Sequence, residues 1–180
     1  AAWPTIDLRR RRELMRSLAD ICQADYSVDF GPVALLGIAD ADPLVKLAAI
    51  DTFWDSEDPA VISLLVSLAL SDPDVPVRAS AVRALGQFVL QGELGQLAQH
   101  SFSQLVQTLL EIARDPQNET LVRSRALESI AAADLPEVTD LIGSAYRSGT
   151  DELRVGAISA MGHTANEAWK SVIIDELESP

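Results

Sequence analysis

The stretch Asp72-Pro73-Asp74-Val75-Pro76-Val77-Arg78-Ala79-Ser80-Ala81-Val82-Arg83-Ala84-Leu85-Gly86 decides the fold. A short polar turn leads into valine, a basic residue, two spacers, alanine and an aliphatic residue. The pattern returns as Val45-Lys46-Leu47-Ala48-Ala49-Ile50, Val122-Arg123-Ser124-Arg125-Ala126-Leu127 and Leu153-Arg154-Val155-Gly156-Ala157-Ile158. Its basic residues stand 32, 45 and 31 positions apart. Repeats of that length stack into helical solenoids, because one helix pair cannot bury its apolar face alone and its neighbours must cover it.

Working outward, apolar residues at helical spacing run along nearly the whole chain. They predict an N-terminal helix over about 5–24, then pairs at about 30–40 with 43–54, 58–70 with 74–90, 102–114 with 119–132, and 135–147 with 151–163. A last helix covers about 166–178. The chain thus divides into an N-terminal helical segment, 1–29, and a repeat array, 30–180, with units at about 30–56, 57–91, 102–133 and 134–164 and a half unit at 165–180. Asp42-Pro43, Asp58-Pro59, Asp72-Pro73 and Asp115-Pro116 read as helix starts, since Asp caps free N–H groups and Pro tolerates the first turn. Gly86 and Gly162 follow Arg78 and Arg154 at the same distance, where glycine commonly ends a helix. The longer third spacing places its excess at Gln91–Ser101, read as a short extra helix or ordered loop.

Hydrophobic residues make up 48% of the 180, which excludes a disordered chain, and only 5% are aromatic, which suits close helix packing. No apolar run reaches the roughly 18 residues of a membrane span. The single Cys22 cannot form an internal disulfide and fits a reducing, cytoplasmic setting. The net charge of −13 falls entirely beyond residue 30, because the first 30 residues hold five Arg against five acids. Such a surface repels phosphate backbones, so the expected partner is a protein or peptide of basic or amphipathic character, not nucleic acid or membrane.

At about 100° per residue, Arg78 falls inside the arc that holds Val77, Ala81, Val82, Leu85 and Val89. A guanidinium there must be paired, and the turns offer carboxylates at every repeat. The opposite arc holds Ala79, Ser80, Arg83 and Gln87. Shifted by the repeat spacing it becomes Leu47, Asp51 and Asp55, then Ser124, Glu128 and Ala132 beside Arg125, then Val155, Ser159 and His163.

These repeats resemble HEAT repeats, particularly the short kind known from phycobilisome bilin lyases. Residues 72–86 carry the resemblance best and Glu152–Gly162 match well. The first unit has Lys46 in place of arginine, and the first and third lack the closing glycine. The resemblance implies an all-α fold, a right-handed α–α superhelix of about four helix pairs plus terminal helices. It also implies an interlocking ladder in which Lys46, Arg78, Arg123 and Arg154 pair with Asp42, Asp72 and Asp115, with Asp151 as a further candidate. Second helices of such stacks line a concave groove. The groove would carry Asp51, Asp55, Arg83, Gln87, Arg125, Glu128, Ser159 and His163, a stripe of mixed sign that could hold a peptide or helix.

Motifs for other chemistry are missing. His100 and His163 have no metal-ligand companion at helical spacing, so the His-Glu pairs of HEAT-like iron hydroxylases are absent and no cofactor is expected. No phosphate-cradling glycine loop or nucleophile elbow occurs. Cys22 lies among Leu14, Leu18 and Ile21 and reads as core; Trp3, Trp54 and Trp169 read as packing. The run Arg9–Arg12 reads as a solvated helix face, although Arg11 points towards the apolar side. The expected function is a non-enzymatic protein-binding scaffold, a piece of a longer HEAT-repeat protein whose apolar last helix would drive self-association. The alternative from another class is a bilin-lyase-type protein that handles a chromophore.

Overall fold

The computed structural model describes residues 3–24, 30–54, 56, 58–164 and 166–178. Among them there is no strand. The helices are α1 (Leu8–Ala24), α2 (Gly31–Ile38), α3 (Pro43–Asp51), α4 (Pro59–Ser71), α5 (Val75–Glu93), α6 (Gln99–Arg114), α7 (Thr120–Ile130), α8 (Pro136–Ser148), α9 (Asp151–His163) and α10 (Lys170–Glu178). Short 3-10 turns at Trp3–Thr5 and Glu167–Trp169 precede α1 and α10. The fold is all-α, as the repeat pattern requires. The additional residues of the third spacing lengthen α5 to Glu93 and start α6 at Gln99, leaving a short turn in which Gly95 takes a positive φ of 73°.

The chain forms two compact units, Ala1–Ala84 and Leu85–Pro180, and α5 spans the boundary. In the first unit α3 is packed by α2 on one side and α1 on the other. Met15, Ala34, Val45 and Ala49 are fully buried there. In the second unit α7 and α9 lie side by side, backed by α6 and α8 respectively. Leu109, Leu110, Ile130, Ile142 and Ala157 are fully buried between them. This is a paired-helix layout: first helices behind, second helices adjoining. By the same pattern α1 lies beside α3 as one second helix lies beside the next.

Helix starts follow a rule shifted from the Asp-Pro reading. Asp42 caps α3 by accepting the Val45 amide at 3.2 Å, and Asp58 caps α4 through the Ala60 amide at 2.9 Å. Asp72 and Asp115, however, end α4 and α6 and do not begin the next helices. The cap of α5 is Asp74, which accepts the Val77 amide at 3.1 Å, and that of α9 is Thr150, which accepts the Leu153 amide at 3.4 Å. Capping therefore falls three residues before the Val or Leu that opens each repeated motif. In the third repeat Glu119 occupies that place with no side-chain cap.

Candidate functional site

Four polar residues are buried among the described residues: Asp40, Asp72, Ser124 and Ser129. Each sits where one repeat meets another. Asp40 accepts from Arg11 Nη1 at 2.5 Å, from Trp3 Nε1 at 2.8 Å and from the Asp42 amide at 3.0 Å. Asp72 accepts from Lys46 Nζ at 2.5 Å and from the Asp74 amide at 3.0 Å. The two sites superimpose in sequence as Asp-x-Asp, with the first carboxylate turned inwards and the second capping the helix. Each inward carboxylate is met by a cation from the preceding second helix, Arg11 of α1 or Lys46 of α3. Buried charges persist only when paired in this way.

The ladder therefore differs from its expected wiring. Lys46 and Asp72 both belong to it. Asp42 does not hold Lys46; it takes a two-pronged contact from Arg12, Nε to Oδ1 at 2.9 Å and Nη2 to Oδ2 at 2.5 Å. The hydrogen bond from Arg12 holds the Asp42 carboxyl below its ordinary range, despite the opposing cost of burial. Arg78 Nη1 donates to the backbone carbonyl of Asp72 at 2.7 Å, and Arg123 Nε to that of Ala113 at 3.1 Å. Asp115 is exposed and accepts the Gln117 amide at 2.9 Å, closing its own turn. Arg154 reaches forward to Glu176 on α10 and lies 5.1 Å above the Tyr146 ring, and Asp151 is exposed. Asp40 and Arg11 were missed as a rung. The inward lean of Arg11 and the shared Asp-x-Asp spacing were the signals that could have found them.

The described groove residues range from exposed to half-buried. In the first unit Arg83 Nη2 pairs with Asp51 Oδ1 at 2.9 Å, joining α5 to α3 with both side chains well exposed. Asp55 lies outside the described residues. In the second unit Arg125 pairs with Glu128 at 2.7 Å one turn along α7. Gln87 and Ser159 are half-buried, and His163 is exposed. Two residues on the same expected arc are not on the surface: Ala79 is 5% exposed and Ser124 6%. Ser124 is covered because α9 passes over it at Gly156, where an added Cβ would overlap Ser124 Oγ and lie 3.0 Å from its Cβ.

The Arg9–Arg12 run is largely neutralised on the spot. Arg9 pairs with Glu13 at 3.1 Å, Arg10 approaches the same carboxylate, and Arg11 and Arg12 are taken by Asp40 and Asp42. Cys22 is buried in α1. Among the described residues no group of three His, Cys, Asp or Glu could hold a metal ion, and no helix is long and apolar enough to cross a membrane.

A family model described as HEAT repeats matches residues 32–94, the span from α2 through α5 that contains both Asp-x-Asp turns. No curated protein and no solved structure matches the chain. The match supports a HEAT-repeat family for that stretch, alongside the all-α paired-helix layout.

Proposed function

We propose that this chain is a non-enzymatic HEAT-repeat scaffold that binds a basic or amphipathic protein segment on the exposed faces of its second helices. HEAT repeats generally serve as protein-interaction scaffolds. The observation that carries the reading is the contrast between the two kinds of charge on the second helices. Lys46 and its acceptor Asp72 are 14% and 2% exposed and hold the stack together. Arg83 and Asp51, on the other face, are 58% and 41% exposed and hold nothing that needs them. A pair exposed to that degree contributes little to stability, which leaves it available to a ligand. The acidic excess selects basic segments and disfavours nucleic acid.

The test uses a labelled basic amphipathic helical peptide and its acid-substituted counterpart, read by fluorescence anisotropy. The native chain should bind the basic peptide alone, and more weakly as salt rises. Asp51→Lys together with the uncharged Glu128→Gln should weaken binding several-fold while the thermal midpoint moves little, since Glu128 is only 17% exposed and a lysine there would face Arg125. Unchanged affinity in the double variant would remove these faces as the binding surface. A bilin that develops a new absorbance band on incubation with the chain would favour chromophore handling instead.

A further inference from the structure

We infer that the overlong end of α5 is an apolar anchor on which a partner protein seats a basic amphipathic helix. Helix α7 ends at Ile130, seven residues after Arg123, and α9 at His163, nine after Arg154. Helix α5 runs on to Glu93, fifteen residues after Arg78. This overrun takes up part of the lengthened third spacing, and insertions in repeat arrays often fall on the binding face. It reaches about 12 Å past Gly86, which itself faces Ser129 near the end of α7. There α7 gives way to a turn, and Glu93 Oε1 accepts the Asp134 amide at 3.1 Å. The overrun and α7 both lie within the second unit.

The overrun has two faces. Inwards, Leu85, Phe88 and Val89 are fully shielded from water, and Gly92 takes the Phe102 ring. Outwards, Leu90 is 51% exposed and Leu94 is 65% exposed. The Leu94 amide donates to the Leu90 carbonyl at 3.0 Å, which sets the two side chains one turn apart on one stripe. Stacking of the repeats leaves both leucines half or more in water and so does not account for them. Apolar residues at this spacing are the anchors of helix-in-groove contacts. The charge beside them selects the occupant. Glu93 and Asp134 are both exposed, and neither forms an ion pair among the described residues. The unit as a whole holds 6 basic against 14 acidic residues. A second copy of so acidic a chain would be repelled, whereas lysines flanking an apolar stripe would be drawn to Glu93 and Asp134.

This inference rests on the protein-binding reading, so its test separates the anchor from the rest of the second-helix faces. The probe is a labelled helical peptide of about 15 residues, with leucines along one stripe and lysines beside it. A counterpart carries serine for each leucine. Both are titrated into the whole chain by fluorescence anisotropy. Leu90→Gln with Leu94→Gln removes the anchor, and since both side chains already stand in water the variant should melt close to the native chain. It should bind the leucine peptide about tenfold more weakly, and the change from leucine to serine in the peptide should then cost little more. Asp134→Lys should weaken binding and flatten its salt dependence. Native-like affinity in the double leucine variant, with loss in Asp51→Lys and Glu128→Gln, would overturn the anchor and leave the proposed function standing. A native chain that binds neither peptide would overturn the protein-binding reading itself. Light scattering that shows a dimer abolished by the double leucine variant would overturn the choice of occupant in favour of a second copy.

Discussion

At the scale of single residues, the carboxylate of Asp40 ties together parts of the first unit that the repeat pattern leaves out. It receives three donors from three segments while fully shielded from water. Removing it strands Arg11 in a buried place. Asp40→Ala should therefore cost about 2–4 kcal/mol, while Arg83→Ala should stay within about 0.5 kcal/mol. Urea midpoints measure both, and equal midpoints would refute the distinction. The sequence reading came within two residues of this site. The resemblance to HEAT repeats puts a carboxylate ladder at the turns and names Asp42, because aligning repeats does not show which of two nearby acids turns inwards. Capping settles the matter: Asp42 and Asp74 turn to the Val45 and Val77 amides, so only the first acid of each Asp-x-Asp is left to face inwards.

Among elements, α9 offers a comparison between two glycines on one helix. Gly156→Ala pushes a methyl into Ser124 and should destabilise by about 1–3 kcal/mol, the usual result of overpacking. Gly162→Ala meets open space and should stabilise by about 0.5–1 kcal/mol through helix propensity. Thermal melts of the two variants should move in opposite directions. Helix α10 supplies a pH dependence. Glu176 accepts from Tyr146 Oη at 2.5 Å and from Arg154, and those hydrogen bonds lower its pKa. The same contact with Glu176 raises the Tyr146 pKa. A lowered carboxylate supports docking above its ordinary range and loses it as pH falls through the lowered value; a raised phenol supports docking until pH climbs through the raised value. Amide resonances of α10 should hence change at both extremes and hold between them, and Glu176→Gln should flatten the acid limb.

On the scale of the whole molecule, charge and repeat pattern do most of the predicting. A chain of net charge −13 should not retain DNA at about 0.15 M salt, and a filter-binding assay would show it. Fold class was legible because apolar periodicity acts over a few residues, but the helix limits were legible only in part: Asp72 and Asp115 end helices and Gly86, expected at a helix end, lies inside α5. The excess in the third spacing was harder to read: Gln91–Ser101 became further turns of α5 and α6 with a tight link, because Phe102 packs against Gly92. The surface was legible only in part. Ala79 and Ser124 lie on the same helical arc as Arg83 and Glu128, and only the position of the neighbouring helix decides which of them water reaches.

The three-way grip of Asp40 also sets how the first unit breathes. The Trp3–Thr5 turn, α1 and the link into α3 all spend a donor on one buried oxygen pair, so a movement of that carboxylate loosens all three together. Amide protons across these segments should exchange with solvent at a common rate, as one cooperative block. α10 is tied through Glu176 to Tyr146 and Arg154 at the protein surface and should exchange earlier and alone. Asp40→Asn would split the block into separately exchanging pieces well before the unit as a whole unfolds.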